Sequence, residues 1–119
     1  MNKALLAAGA IDGAIAVAAG AFGAHALKDR LTEKALAVFE TGARYQMYHA
    51  LAIVLCALIA GSVAGARVSG WLLQAGIVLF SGSLYALALT DVKVLGAITP
   101  LGGLAFIAGW VWLAVSALR

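Results

Sequence analysis

The sequence predicts an all-α integral membrane protein: a four-transmembrane-helix bundle with one amphipathic interfacial helix between helices 1 and 2. Three observations lead there. Of the 119 residues, 65% are hydrophobic and only 11% charged, whereas soluble domains are about 45–50% apolar and about 25% charged. Folded in water, such a chain would expose large apolar patches and aggregate. Four apolar runs, at about residues 4–27, 47–66, 70–89 and 95–118, each reach the ~20 residues that cross hydrocarbon as a helix. The runs are rich in Ala, Leu and Gly, and they lack the apolar–polar alternation of a membrane β-barrel.

The ends of the runs are marked. Lys28, Asp29 and Arg30 close the first. Arg67 and Ser69 leave so short a turn that the second and third spans must be antiparallel neighbours. Asp91 and Lys93 separate the third from the fourth. Thr99-Pro100 reads as a helix start, with Thr as cap and Pro at the first helical position. Residues 94–98 then form an apolar lead-in. In the segment 29–46, Leu31, Ala35, Val38 and Phe39 recur at helical spacing opposite Lys34, Thr41 and Arg44. That pattern fits an amphipathic helix on the membrane surface, able to run on into span two. Ala24-His25-Ala26 has the small-residue form of a signal-peptide cleavage site, but a signal h-region is about 7–15 residues. The first run is longer and is expected to remain a span, so residues 1–119 form a single membrane domain.

The net charge of +3 is no nucleic-acid footprint, because the eight basic residues are scattered and five acids accompany them. With four spans both termini share one side, which carries Lys3, Arg67 and Arg119; the other carries Lys28, Arg30, Lys34, Arg44 and Lys93. The positive-inside rule places the loop 28–46 in the cytoplasm and the termini outside. Trp71, Trp110 and Trp112 fall toward the terminal side, and Tyr45, Tyr48 and Tyr85 toward the loop side, as interfacial belts would. The lone Cys56 sits in an apolar run and is expected to be a buried, inert thiol.

Several polar residues could carry chemistry. Asp12 lies near the middle of span one, where an ionisable group is a functional candidate by default. It is either a proton or cation site or a carboxyl bonded to Gln74, Ser81 or Thr99, and the second is the plainer expectation. The richest cluster is Glu40, Arg44, Tyr45, Gln46 and His49. Glu40, Arg44 and Tyr48 share a helix face, and the order Glu then Arg at i, i+4 suits an intrahelical pair. His25 ends span one on the same membrane side, so it could approach His49. Two histidines could ligate a metal or haem or shuttle protons. Without a third ligand, a hydrogen-bond network between helices is the expectation, and no cofactor or metal is assigned. Gln74, Ser81 and Tyr85 share a face of span three, beside Ser83. Gly9, Gly13, Ala16 and Gly20 in span one, and Gly102, Ala105 and Gly109 in span four, form small-residue stripes of the kind that let helices approach closely in lipid.

Four stretches are familiar in combination: Gly20-Ala21-Phe22-Gly23-Ala24-His25, Thr41 through His49, Leu79-Phe80-Ser81-Gly82-Ser83-Leu84-Tyr85, and Thr99-Pro100-Leu101-Gly102-Gly103 with Gly109-Trp110. Together they resemble the domain of unknown function 423 family, small membrane proteins related to eukaryotic transmembrane protein 256. The resemblance implies a multi-span protein of the bacterial inner membrane, with the termini then periplasmic, and implies no activity. Matching positions include His25, Tyr45, Gln46, His49, Ser81, Ser83 and Tyr85, whereas Asp12 lies outside the familiar stretches.

These readings lead to a non-enzymatic protein of the lipid bilayer. It would act as a helix-packing accessory subunit of a membrane-protein partner or as a homo-oligomer. The alternative is a minimal transporter or channel for a proton or small solute, running past Asp12 and the polar face of span three.

Overall fold

A computed structural model describes residues 1–119, all helices and turns. Helix α1 spans Lys3–His25, and Asn2 caps it, its side-chain oxygen accepting from Leu5 N at 3.0 Å. Helix α2 spans Glu33–Ile59 and is capped by Thr32, whose hydroxyl oxygen accepts from Ala35 N at 3.1 Å. Glu33 in the first turn complements the positive end of the helix dipole.

The expected interfacial helix over 29–46 and the span from 47 are thus one rod beginning at Glu33. The amphipathic pattern is real, but its inner face meets protein rather than a membrane surface. Phe39, Gly42, Ala43 and Gln46 are buried there. Gly42 is needed for that approach, because a Cβ would come within 2.9 Å of the Tyr85 ring.

The third span is also one rod, Ala66–Thr90, in three parts. Helix α3 covers Ala66–Gly76, a π-helical turn covers Ile77–Ser81, and helix α4 covers Gly82–Thr90. In the π turn Gly82 N bonds Ile77 O, five residues back. The rod starts four residues before the expected position, so Ser69 is inside it and fully buried. Asp91 closes α4 in the left-handed conformation, φ 57°, which Asp tolerates better than most residues. Its carboxylate accepts from Lys93 Nζ at 2.6 Å, the one ion pair of the chain. The hydrogen bond from Lys93, and then its charge, hold that carboxyl below its usual value. The clasp therefore forms above the depressed value and is lost as pH falls through it; fully exposed, it contributes little to stability.

A 3-10 turn, Lys93–Ala97, leads into helix α5, Thr99–Ala117, with Pro100 in the first turn as the sequence predicts. Thr99 does not cap it. Its hydroxyl instead meets Ser83 Oγ at 2.6 Å.

Helix α2 is the hub, packed antiparallel against α1 and also against α3 and α4, and α1 touches α3 as well. The register is fixed at three levels: Asn2 N bonds Ala57 O at 3.0 Å, Gly9 sits against Val54, and Gly23 sits against Phe39. Helix α5 covers α3 and the π turn. There Gly102 lies on the Phe80 backbone, Gly109 on Leu73, and Phe106 on Gly76. The small-residue stripe of α5 is therefore a packing seam. The stripe of α1 splits, because Gly9 is filled by α2 while Gly13 and Gly20 have no neighbour within 4 Å of a Cβ. Two apolar clusters result. The larger, with Leu5, Ile53, Cys56, Leu73 and Phe106, lies toward the termini; the smaller, Leu27, Phe39 and Ala88, lies at the loop end. Only 30 of 119 residues are buried, as expected where the outer faces of the rods meet lipid.

Gly102→Ala drives a methyl into the Phe80 backbone and lowers stability by about 1–3 kcal/mol, the usual range for overpacking. Gly103→Ala, which meets nothing within 4 Å, keeps or slightly raises stability. Reversible unfolding in mixed micelles, followed by circular dichroism, distinguishes the two.

Candidate functional site

Between the two apolar clusters lies a polar layer, organised on Gln46. Tyr85 OH donates to Gln46 Oε1 at 2.7 Å, and Gln46 Nε2 donates to Asp12 Oδ1 at 3.3 Å. A glutamine amide offers an acceptor at one end and donors at the other, and here each end holds a different helix. Gln46 is 3% exposed and Asp12 5%. Gln74, from α3, is the second amide facing the Asp12 carboxyl. Of Gln74, Ser81 and Thr99, the partners the sequence suggests for Asp12, Gln74 does face the carboxyl, and the sequence misses the bond from Gln46 on α2. Ser81 Oγ is committed to Gly42 O at 2.7 Å, which holds the π turn to α2 where both backbones come close. Ser83 Oγ donates to Phe80 O at 2.9 Å besides meeting Thr99, joining α4 to the start of α5.

Two oxygens of the layer, Asp12 Oδ2 and Gln74 Oε1, are buried without a partner. They stand at a crevice of about 420 Å³ between α1 and the third rod, lined also by Ser81, Gly82 and Tyr85. Its mouth, formed by Ile11, Ile15 and Val78, is exposed. Gln74, Ser81 and Tyr85 do share one face, as their spacing predicts, although the π turn interrupts the helix between them.

His49, nearly one turn along α2 from Gln46, forms a second centre toward α5. Its Nδ1 lies 2.7 Å from Tyr45 O, and its Nε2 lies 3.1 Å from Trp110 Nε1. An indole nitrogen only donates, so Nε2 is the bare acceptor and Nδ1 carries the hydrogen given to the carbonyl. This is the neutral imidazole with both nitrogens engaged. Phe106 stacks on it at 3.6 Å between centroids, tilted by 6°. Tyr45 packs on Phe80 at 4.9 Å.

His25 is not part of this centre. It is exposed at the loop end of α1, near the level of Phe39. His49 is ten residues further along α2, about 15 Å at helical rise, so the two histidines do not form a ligand pair. Glu40 and Arg44 are exposed and make no ion pair, and Tyr48 shares their outward face. The residues that sequence reasoning missed are Phe106 and, as a donor, Trp110. The sequence suggests a belt position for Trp110, yet it stands midway along α5 and bonds inward. Tyr85 likewise turns its hydroxyl to Gln46 rather than to an interface.

Four apolar rods long enough to cross a bilayer, with their polar groups turned on one another, define a polytopic helical membrane protein. The chain belongs to a family of proteins of unknown function, DUF423, whose profile matches residues 19–103. Gln46, His49, Ser81 and Tyr85 lie inside that range and Asp12 outside it. The chain is similar to the UPF0382 membrane protein YwdK of Bacillus subtilis, 48% identical over 120 residues, 98% of each chain. It is similar also to UPF0382 membrane proteins of Staphylococcus epidermidis, 48% identical, and Staphylococcus haemolyticus, 47%, each match covering 98% of this chain and 97% of the relative. No solved structure matches it.

Tyr85→Phe removes the donor to Gln46 Oε1. It should lower stability by about 0.6–1.7 kcal/mol, the range of hydrogen bonds between membrane helices. Tyr48→Phe, on the exposed face, should change it by less. Unfolding in bicelles measures both.

Proposed function

We propose that this protein is a non-enzymatic membrane scaffold that works by pairing with a second copy of itself through the outward face of α2. The observation that carries the reading is the exposed, unpaired couple Glu40 and Arg44. They lie six and two residues from Gln46, about 9 and 3 Å along the helix. Gln46 is level with Asp12, close to the middle of α1, and the hydrocarbon half-thickness is about 15 Å. Both charges therefore face outward within the bilayer, where an unpaired charge is costly.

A second copy supplies the missing partners. Copies inserted in the same direction about a twofold axis along the membrane normal bring like positions of α2 together. Glu40 of one copy then stands about 6 Å along the axis from Arg44 of the other, and these long side chains meet diagonally, twice over. The same face continues as Tyr48, Leu51, Leu55 and Leu58, all exposed. The spacing from Arg44 alternates four and three residues, the seam of a left-handed helix pair. We infer further that the loop end, with its greater number of Lys and Arg residues, faces the cytoplasm of a bacterium. The transporter reading is favoured by Asp12 alone. Its crevice opens sideways, so a path would need walls from another copy. Loss of proton flux into liposomes in Asp12→Asn would promote that reading.

Single cysteines in a Cys56→Ala background test the pairing. Leu51→Cys and Leu55→Cys should give disulfide dimers, while Val17→Cys and Val111→Cys should stay monomeric. Glu40→Arg or Arg44→Glu alone should weaken the dimer about tenfold, the effect of one lost charge pair, and the double exchange should restore it. Crosslinking at Val111 instead, or indifference to the charges, would sink the proposal. Recovery of α2 crosslinked only to a different membrane protein would replace self-association with an accessory-subunit role.

A further inference from the structure

The crevice between α1 and the third rod is not used by the α2 pairing, and it is built as a site. Its floor lies over two oxygens, Asp12 Oδ2 and Gln74 Oε1, both buried without a hydrogen-bond partner; the amide oxygen only accepts, and the carboxyl oxygen accepts when ionised. Most other polar groups near them are engaged, and the Gln74 amide faces the Asp12 carboxyl. Tyr85 OH and the Gln46 amide are bonded to one another and to Asp12 Oδ1, and Ser81 Oγ is bonded to Gly42 O. No basic side chain lines the crevice. Its upper walls are apolar and its mouth, at Ile11, Ile15 and Val78, is exposed toward the lipid. A volume of about 420 Å³ falls in the range of small-molecule sites. One wall is the π turn Ile77–Ser81, and such turns recur at functional sites. Beside it Gly82 has nothing within 4 Å of a Cβ, so the space is open at that point too.

We infer that this crevice binds a lipid-phase molecule with an apolar body and a hydrogen-bond-donor head, a hydroxyl or an ammonium, placed on Asp12 Oδ2 and Gln74 Oε1. An ammonium head, with three N–H donors, answers both oxygens at once, and a hydroxyl, with one O–H, answers one of them. An ether or ester of the same shape would leave them unpaired. The ligand enters sideways from the bilayer, because that is where the mouth opens. Hydroxyl and ammonium heads share the donor chemistry, and only the ammonium adds charge pairing with the carboxylate.

The test uses the full chain in phosphatidylcholine nanodiscs and three photoactivatable probes on one alkyl chain: a primary alcohol, a primary amine and a methyl ether. Labelled residues are mapped by mass spectrometry. The alcohol, the amine or both should label Ile11, Ile15 and Val78 about tenfold more than the ether does, the discrimination given by one buried hydrogen bond to a carboxylate. Unlabelled alcohol or amine should compete. Whichever head prevails fixes the ligand class. Gly82→Leu fills the open side of the crevice, leaves Asp12 and Gln74 in place, and should abolish the selective labelling in a protein whose circular dichroism is unchanged. Asp12→Leu should abolish it as well. Equal labelling by the ether, label spread evenly over Val17 and Val111, or labelling indifferent to Gly82→Leu would overturn the inference. None of these outcomes depends on whether α2 pairs with a second copy.

Discussion

A single side-chain amide stands where three spanning rods meet. In hydrocarbon, apolar faces gain little by turning from lipid to protein, so helices are held by close packing and by polar groups that find each other. Gln46 accepts from Tyr85 on the third rod and donates to Asp12 on α1. It does so from α2, the one helix that touches both. Were its two ends not both occupied, three buried polar groups would lose partners in a medium that offers no water. The bond also sets register, since it fixes the height of α1 against α2 between the glycine contacts at Gly9 and Gly23.

Close approach at glycines lets these short bonds form. Gly42 admits Tyr85, and the carbonyl of the same residue receives Ser81. Gly76 admits Phe106, whose ring lies flat on His49. His49 in turn receives Trp110 from α5. The layer thus reaches across the bundle in two branches, one from α2 to α1 and one from α2 to α5. The apolar clusters on either side exclude alternatives for these groups. The Glu40 and Arg44 couple on the outward face of α2 and the two orphan oxygens at the crevice are among the groups with interactions left to make.

Much of the architecture was legible in the residues. Four apolar runs, the short turn near Arg67, Asp91 with Lys93 and the Thr99-Pro100 start all lie at or near real boundaries. The continuity of α2 was harder to read, because an amphipathic pattern looks the same whether its inner face meets lipid headgroups or protein. Phe39 and Gly42 meet protein. The polar network was legible in its members and only partly in its pairings. Gln46, His49, Ser81 and Tyr85 all bond inward. Helical spacing shows which face a residue occupies, yet it says nothing of which neighbour stands at the same height. That is why spacing points Asp12 to span three, where Gln74 does face it, and does not show the bond from Gln46 on α2. For the same reason the sequence suggests a belt position for Trp110, a mid-helix donor, and sets His25 nearer His49 than it lies. The π turn left no mark in composition.

If the Gln46 amide is what couples α1 to the rest of the bundle, the effects of removing it and of removing its partner must not add. A double-mutant cycle with Asp12→Leu and Gln46→Leu, read as unfolding free energy in bicelles, measures that coupling directly. The predicted interaction energy is about 0.6–1.7 kcal/mol, in the range of bonded pairs between membrane helices. Strict additivity, with the two single losses summing to the double, would contradict the account.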